Sequence, residues 1–383
     1  MIYFDNAATS GTKPKEVINA VENALKNYSA NAGRSGHQAS VKTAEAVFET
    51  RKTAADFFGC EEPENVIFTA SCTHSINCVI KGVLKRGDHV IISSLEHNAV
   101  VRPLKKTGLR FDIAPVSLES DEETVENFKK RIRPDTRLIF CTAASNVIGR
   151  KLPIEKLGAL CRSRGILFAV DAAQGAGVMP INMQKMNIDY LCVAPHKGLY
   201  APMGIGLLLC RKPIEKTLIE GGTGTKSLEL SQPQEMPEKH ESGTLNIPGI
   251  FGVKAGMDFV KKTTLDRIYT HEMNLVGFIY EKLEKMPETE LYTPKMKMGE
   301  FLPVLSFNIR GRSSEQTAEF LSENSVAVRG GFHCSPLAHA MLGTLDRGTV
   351  RVSVGAFNSK NEAERFINII NNINFNKNIK KTY

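Results

Sequence analysis

The sequence lacks the features that mark secreted or membrane-spanning chains. It has no run of about 18 apolar residues, the length that a helix needs to cross a bilayer. Its first residues, MIYFDNAATS, do not follow the basic-then-apolar order of a secretory signal. We therefore expect no membrane association and a cytoplasmic location.

Cysteine patterns typical of disulfide frameworks or zinc sites are also missing. The eight cysteines include no C-x-x-C pair, and several lie in apolar runs such as LLLC. Thiols in such runs are usually reduced and buried. The sequence therefore predicts neither a disulfide framework nor a metal site.

An arginine stripe interleaved with aromatic residues, which is typical of nucleic-acid binders, is absent as well. The formal net charge is +8, and Lys377, Lys380 and Lys381 of the C-terminal tail supply three of these charges. The positive charge is thus partly a property of the tail. We expect no nucleic-acid partner.

What the sequence does contain is an alternation of amphipathic and short apolar segments from about residue 15 to 210. Helical patterns cover residues 13–28 and 40–59, and the second ends at Gly59, where a left-handed cap is expected. The strand candidates are NVIFTA, HVIISS, RLIFCT, LFAVDA, DYLCVA and GIGLLLC. Strands that are apolar at nearly every position are typical of sheets covered on both faces, which predicts an α/β fold.

A length of 383 residues suggests two or three packed units. Beyond about residue 255 the pattern becomes a helix over residues 256–286, the strand candidates VLSFNI, SVAVRGG and TVRVSVG, and the helical NEAERFINIINNI. This pattern predicts a smaller α+β domain. We expect a large domain over residues 15–255, a small one formed by residues 1–14 and 256–383, and a frayed tail over about 372–383.

Polar residues follow five of the apolar strand candidates, at the sheet edge where ligands of α/β proteins usually bind. They are Ser71, Cys72 and Thr73; Glu96 and His97; Ser145 and Asn146; Asp171 and Gln174; and Pro195, His196 and Lys197. The sequence therefore predicts the functional site at this edge.

Lys197 lies between an apolar strand candidate and a glycine-rich stretch, in APHKGLYAPMGIGLLL. Taken alone it fits a surface lysine. A partly apolar site would instead lower the pKa of its amine and allow it to act as a nucleophile. Asp171, 26 residues earlier, fits either a helix cap or a carboxylate that pairs with a cofactor ring nitrogen.

His97 in SLEHNAV fits either a capping histidine or a group that stacks on a cofactor ring and moves protons near neutral pH. Ser71, Cys72 and Thr73 precede or begin a helical segment. They fit either simple caps or a phosphate seat made of hydroxyl groups and free backbone amides.

Eight segments in order resemble the class V aminotransferases, most closely the cysteine desulfurases of the NifS and SufS kind. They are YFDNAAT, EHNAV, ASNVIG, VDAAQ, HKG, ESGTLN, RGGFHC and VRVSVGAFN. The resemblance covers residues 2 to 370, and the order and spacing of the segments carry it. It implies the type I fold of pyridoxal 5'-phosphate (PLP) enzymes, in which a large domain with a mostly parallel sheet is joined by a smaller α+β C-terminal domain.

The resemblance also implies roles for individual residues. Lys197 would bind PLP as a Schiff base, His97 would stack on the ring, and Asp171 would pair with the ring nitrogen. Gln174 and Asn146 would face the ring hydroxyl and the substrate. Cys72, Thr73 and His196 would lie at the phosphate, while Thr244 would reach the phosphate of the partner subunit in a homodimer. Arg351 would clamp the substrate carboxylate, and Arg329 would orient the substrate or the cysteine loop.

Cys334 in RGGFHCSPLAH matches the sulfur-accepting cysteine of this family. The alternative is a buried structural thiol, as we expect for the other seven cysteines. Polar neighbours at His333, Ser335 and His339 and an exposed loop by pattern favour a reactive thiol, which a nearby cation would activate.

Some positions depart from the family pattern. Ala194 and Pro195 stand where many relatives have a serine or threonine before the histidine, which leaves one phosphate contact open. His74 stands where an acidic residue is common. The short segment around Cys334 resembles the SufS-like group, so sulfur delivery is expected to need an activating partner.

The resemblance implies conversion of L-cysteine to L-alanine, with the sulfur left as a persulfide on Cys334 and passed to an acceptor protein. A selenocysteine lyase acting on L-selenocysteine would use similar residues, and an aminotransferase would use the same cofactor. A sulfur-trafficking scaffold without activity would bind no cofactor. These alternatives remain open at the level of sequence.

Overall fold

The computed structural model describes residues 1–33 and 35–373, so most of the tail expected to be frayed, residues 374–383, lies outside the described residues. The chain divides into two compact units. The larger comprises Lys13–Ala143 and Leu152–Thr263. The smaller comprises Met1–Thr12, Ala144–Lys151 and the chain from Thr264 onward.

The elements are numbered along the chain through both units. The smaller unit begins with β1 (Ile2–Tyr3). The larger unit then has α1 (Lys15–Asn27), α2 (Gln38–Phe58), β2 (Val66–Thr69), α3 (Cys72–Val83), β3 (His89–Ser93), α4 (Asn98–Thr107), β4 (Arg110–Ala114), α5 (Asp121–Lys129), β5 (Thr136–Thr142), α6 (Ile154–Arg164), β6 (Leu167–Asp171), β7 (Tyr190–Val193), β8 (Gly206–Cys210) and α7 (Ile247–Thr263).

The seven strands of the larger unit form one sheet in the order β2-β8-β7-β6-β5-β3-β4. The pairs from β7 through β6, β5 and β3 to β4 are parallel, and β8 runs antiparallel to both β7 and β2. The predicted α/β fold with a mostly parallel sheet is therefore confirmed. All six apolar strand candidates are strands, because residues buried on both faces carry an apolar pattern that is easily recognised.

The sequence pattern missed β4, the outermost strand on one side of the sheet. Its burial alternates weakly, with Arg110 and Ile113 exposed and only Ala114 fully buried. An edge strand lacks a neighbour on one side and needs no continuous apolar run. Its five residues pair with β3 in parallel register from His89–Arg110 to Ser93–Ala114.

The smaller unit continues after Thr264 with α8 (Leu265–Glu284), β9 (Thr289–Leu291), β10 (Val304–Ile309), α9 (Ser314–Glu323), β11 (Val326–Ala327), α10 (Pro336–Leu342), β12 (Val350–Ser353) and α11 (Lys360–Asn371). An antiparallel sheet in the order β12-β10-β9 lies beside the parallel pair β1-β11. Its core includes Phe4, Phe307 and Phe366, whose rings meet edge to face. The predicted α+β character is confirmed.

The single helix expected over residues 256–286 is wrong, because two helices occupy this region. Helix α7 ends at Thr263, and Thr264 adopts a left-handed φ of 72° and caps α8 by accepting a hydrogen bond from the Arg267 amide at 3.4 Å. A positive φ on a β-branched residue cannot continue a helix. The units divide at this residue, whereas the expected boundary near 255 falls inside α7.

Residues 144–151, expected in the large domain, cluster with the smaller unit. The physical reason is backbone pairing: the Lys151 amide donates to the Glu300 carbonyl at 2.9 Å, and the Leu302 amide donates to the Gly149 carbonyl at 2.7 Å. Gly149 has a φ of 71°, and a Cβ there would lie 2.4 Å from the Leu302 carbonyl oxygen. Glycine therefore permits this close approach.

Within residues 1–33 and 35–373, no helix combines the length and the apolar character that crossing a bilayer requires.

Candidate active site

Asp171 ends strand β6 and is the buried carboxylate of the larger unit's candidate site, with 3% of its surface exposed. Its Oδ1 accepts a hydrogen bond from the Ala173 amide at 2.9 Å and from the Cys72 thiol at 3.6 Å. The sequence allowed two functions for this aspartate, a cap and a site carboxylate. One side chain can serve both, because the cap uses only Oδ1.

Cys72, the first residue of α3, is fully buried against this carboxylate. Burial raises the pKa of its thiol well above the usual value, the charge of Asp171 raises it further, and the charge of Lys197 opposes the shift. Cys72 is therefore a protonated donor and not a nucleophile. Because the charges of both Asp171 and Lys197 act on this thiol, the three side chains lie close to one another.

Lys197 lies half-buried in a turn after β7. Its amide donates to the Ala194 carbonyl at 3.2 Å, and its carbonyl accepts from the Tyr200 amide at 2.9 Å. The turn lies directly on the loop that follows Asp171, because a Cβ at Gly177 would lie 2.2 Å from the Gly198 carbonyl oxygen. Two glycines thus let the backbone that carries the lysine approach the backbone that follows the aspartate.

His196 and Lys13 form a second pair in this region. Burial, with the charges of Lys197 and Lys13, lowers the pKa of His196 to about 4, so the ring is neutral at physiological pH. The Lys13 ammonium donates to the His196 carbonyl at 3.2 Å, and burial lowers the Lys13 pKa to about 8. Sequence reasoning missed Lys13, which lies just before α1 at the start of the helical pattern over residues 13–28, where nothing distinguishes it from the other lysines.

His97 is the N-cap of helix α4, and its Nδ1 accepts a hydrogen bond from the Ala99 amide at 3.0 Å. The neutral ring therefore carries its proton on Nε2. The capping function that the sequence allowed is confirmed, and it fixes the orientation of the ring.

Glu96, beside His97, is a fully buried carboxyl group. Its Oε1 accepts from the Ser93 hydroxyl and from the Thr142 amide, the latter at 2.9 Å, so it joins the ends of β3 and β5. Its Oε2 has no hydrogen-bond partner among the described residues. Burial raises its pKa to about 8, with Asp171 a smaller contributor in the same direction. The carboxyl group is thus protonated at neutral pH.

The start of helix α3 is where the sequence allowed a phosphate seat. Ser71 caps it by accepting from the His74 amide at 3.2 Å, and Thr73 in the first turn is exposed. A Cβ at Gly206 of β8 would lie 2.4 Å from the Ser71 carbonyl carbon, so glycine is needed for this close packing. Gln174 is buried near the end of β6, and Thr244 is exposed.

The smaller unit holds the other predicted residues, Asn146, Arg329, Cys334 and Arg351. Cys334 is half-buried, and Nη2 of Arg329 lies 3.7 Å from its sulfur. All eight cysteines fall within the described residues and are free, and the other seven are fully buried.

The polar neighbours expected to be exposed around Cys334 are buried instead, and that expectation is wrong. His333 is 2% exposed, Ser335 and His339 are 0% exposed, and it is the apolar Phe332 that is 45% exposed. The reason is hydrogen bonding inside the unit: His333 Nε2 bonds to the Thr349 carbonyl at 3.0 Å. Burial and neighbouring cations lower the His333 pKa to about 2, so this ring stays neutral.

Arg351 on β12 is 1% exposed and already has two partners. Its Nη2 donates to Oδ1 of Asp5 at 2.6 Å, and its Nη1 donates to the Asn146 carbonyl at 3.0 Å, while Nε has no partner among the described residues. Asp5 comes from the N-terminal YFDNAAT segment. The sequence predicted Arg351 but not Asp5, whose importance depends on a contact between the two ends of the chain.

Comparison with known proteins agrees with this architecture. The family described as aminotransferase class-V matches residues 2–366. A probable cysteine desulfurase of Pyrococcus abyssi is 34% identical over 97% of this chain and 93% of its own length, and a cysteine desulfurase of Salmonella dublin is 29% identical over 96% and 92%.

Solved structures are similar over almost the whole chain. The apo structure of a cysteine desulfurase from Thermococcus onnurineus NA1 has a TM-score of 0.88 at 33% identity and covers 96% of this chain and 93% of its own. The cysteine desulfurase CsdA of Escherichia coli, described as the S-sulfonic acid form, has a TM-score of 0.84 at 25% identity, with coverage of 96% and 93%. Proteins of this kind generally depend on PLP. The chain belongs to the class-V aminotransferase family.

Proposed function

We propose that this protein is a PLP-dependent cysteine desulfurase that converts L-cysteine to L-alanine and leaves the sulfur as a persulfide on Cys334. The observation that carries the proposal is the position of Cys334. All eight cysteines lie in the described part of the chain, and Cys334 is the only one that is half-buried and not buried. A guanidinium nitrogen lies 3.7 Å from its sulfur. A guanidinium at this distance stabilises negative charge that develops on the sulfur. The names of the relatives do not favour a selenocysteine lyase, an aminotransferase or an inactive scaffold.

The groups in the larger unit fit PLP by their chemistry. Lys197 would supply the amine for the aldehyde, and the buried Asp171 carboxylate, with one oxygen used by the turn, would supply the partner for the ring nitrogen. Cys72 and Thr73 at the start of α3, together with His196, would hold the phosphate. His97 would stack on the ring, and Gln174 would face the ring hydroxyl.

PLP, when bound, supplies an electron sink that makes the α-proton of the substrate acidic and the β-carbon to sulfur bond cleavable. The chain supplies positions and protons. The Lys197 amine would accept the proton that the substrate α-carbon loses and would hold it within the site. Neutral His97, with its proton on Nε2, would act as a second proton carrier.

Arg351 would bind the substrate carboxylate, and Arg329 would help to orient the substrate or the Cys334 loop. A planar guanidinium suits this task, because its fork matches a carboxylate. In the sulfur step the Cys334 thiolate forms a bond to the substrate sulfur while the bond between that sulfur and the β-carbon breaks. The carbon keeps the electron pair and gains a proton, so cysteine plus thiol become alanine plus persulfide.

The remaining parts of the proposal concern partners. A second copy of the chain would form a homodimer in which the exposed Thr244 reaches the phosphate bound by the partner. A sulfur-acceptor protein in the cytoplasm would take the persulfide. Sedimentation of the cofactor-loaded protein tests the dimer, and a fully active monomer would contradict it.

The function is tested with Cys334→Ala and, as a matched control, Cys60→Ala, which removes one of the buried thiols. We expect Cys334→Ala to lose alanine formation from L-cysteine while keeping the visible absorbance of the cofactor, and Cys60→Ala to keep both. Turnover retained without Cys334 would refute its assigned role. Parallel assays of the parent and Cys334→Ala with L-selenocysteine separate the lyase alternative, because selenide is the better leaving group and depends less on a protein thiol.

A further inference from the structure

The two residues at the tip of the Cys334 loop have unusual backbone conformations. His333 has a φ of 50° and Cys334 a φ of 58°, both in the left-handed region that non-glycine residues rarely adopt. Two such residues in succession cost free energy and persist only where the surroundings enforce them. Some neighbouring group must therefore hold the loop in this shape.

Asn146 makes the contacts that can do this. Its Nδ2 donates to the His333 carbonyl at 2.7 Å, and its Oδ1 accepts from the Ser335 hydroxyl at 2.6 Å. One amide group thus bonds to the residue before Cys334 and to the residue after it. The three bonded residues are 8%, 2% and 0% exposed, so water cannot readily replace a lost bond.

Asn146 is itself held in place. Its carbonyl accepts from Arg351 at 3.0 Å, and the neighbouring Ser145 amide donates to the Arg150 carbonyl at 2.9 Å, which closes the segment into a tight turn. The His333 carbonyl fixes the orientation of the amide, because a flipped group would place Oδ1 against another acceptor. The segment 144–151 therefore acts as a rigid support for the loop.

We propose that Asn146 is a positioning residue that locks the Cys334 loop and so fixes the thiol beside Arg329. The importance of this lock for catalysis rests on the desulfurase function proposed above. The lock differs from the role that the family resemblance implies for Asn146, which is to face the cofactor and the substrate. The two roles make different predictions. Loss of a lock would change the reactivity of the Cys334 thiol even in protein without cofactor or substrate, whereas loss of a cofactor-facing residue would not.

The test compares Asn146→Ala, Asn146→Asp and Ser335→Ala with Asn358→Ala as the matched control. Asn358 is also in the smaller unit, and its side chain bonds to the Tyr3 carbonyl and the Gly355 amide, not to the Cys334 loop. Asn146→Asp keeps the shape of the side chain but replaces the donor Nδ2 with an oxygen, which would face the His333 carbonyl oxygen. The main readout is the rate of Cys334 alkylation by iodoacetamide in cofactor-free protein, followed by mass spectrometry.

We expect both Asn146 variants to lower the alkylation rate about tenfold, as the sulfur leaves its position beside the Arg329 guanidinium, and Ser335→Ala to lower it less. With cofactor bound, their kcat for alanine formation should fall while the KM for L-cysteine and the cofactor absorbance stay near those of the parent. Asn358→Ala should match the parent in each measurement.

An unchanged alkylation rate in Asn146→Ala, together with a raised KM or a shifted cofactor absorbance, would overturn the lock and favour the cofactor-facing role. The alkylation rate requires neither turnover nor cofactor. If the parent protein failed to release alanine from L-cysteine, the proposed function would fail, and the lock would still be decided by alkylation.

Discussion

Nη2 of Arg329 lies 3.7 Å from Sγ of Cys334, and the backbone of Arg329 pairs with the backbone of Arg351. The Arg329 amide donates to the Arg351 carbonyl at 3.3 Å, and the Arg351 amide donates to the Arg329 carbonyl at 2.8 Å. The guanidinium beside the thiol is thus fixed by the same strand contact that positions the proposed substrate-binding arginine.

Replacing Arg329 by alanine should lower the alkylation rate of Cys334, because the sulfur loses the guanidinium that lies 3.7 Å away and stabilises negative charge developing on it. Arg329→Lys should keep part of the rate. Arg310→Ala removes an exposed arginine of the same unit and serves as the control. Equal rates in Arg329→Ala and the parent would mean that the guanidinium does not influence the thiol.

Glu96 should make the stability of the protein depend on pH. Its pKa is about 8 in the folded protein and 4.5 in its ordinary state, so the folded chain holds a proton that the unfolded chain releases between these values. Stability from this group is full below about pH 4.5 and is lost as the pH rises toward about 8. Glu96→Gln, which is neutral at every pH, should remove this part of the decline.

The measurement for Glu96 is urea unfolding of parent and variant at several values between about pH 5 and about pH 8. The free energy of unfolding of Glu96→Gln should fall less across this range than that of the parent. Parallel curves for the two proteins would count against a protonated carboxyl at this position.

The ion pair between Arg51 and Glu241 should matter for stability, because both side chains are only 6% exposed. Nη1 of Arg51 also donates to the Val66 carbonyl, and the Phe68 amide donates to the Glu241 carboxylate at 2.6 Å. Glu241→Leu alone leaves a buried arginine without its partner and should cost about 3–5 kcal/mol.

The double variant Arg51→Met with Glu241→Leu removes both charges and should be more stable than Glu241→Leu alone. Chemical denaturation of the parent, the two single variants and the double variant gives the coupling between the two side chains. Additive losses in this cycle would show that the pair is not coupled.

Lys197→Ala should abolish the labelling of the protein by PLP followed by borohydride, because the proposed covalent link needs this amine. Lys151→Ala is the matched control, since burial lowers the Lys151 pKa to about 8 and its amine lies 4.3 Å from the ring centre of Tyr269. Peptide mapping should find the label on Lys197 in the parent and in the control. A label on Lys151 would redirect the assignment.

Much of the larger unit could be predicted from sequence because its sheet is buried on both faces. The central strands β5, β6 and β7 carry apolar residues at nearly every position, and polar residues such as Asp171 and Lys197 follow where they end. The strand β4 could not be predicted in the same way, because its position at the edge of the sheet removes the need for an apolar run.

Contacts between distant parts of the chain could not be predicted from local patterns. Asp5 meets Arg351 across 346 positions, and Asn146 meets Ser335 across 189. Neither contact produces a periodic pattern in the sequence. A hydrogen bond between distant segments depends on where the folded chain places the side chains, not on their spacing along the chain. The burial of His333 was misjudged for the same reason.

The sequence alone determined the class of fold, the family resemblance and the types of chemical group available. Buried strands show as apolar runs, and the motifs can be recognised by their order along the chain. Only the tertiary structure decided which groups meet. The protonated thiol of Cys72 against Asp171, the proton held by Glu96 and the hydrogen bond from Asn146 to the Cys334 loop all depend on specific neighbours that only the folded chain provides. Desolvation and hydrogen bonding act through space, so these properties exist only once the chain has folded.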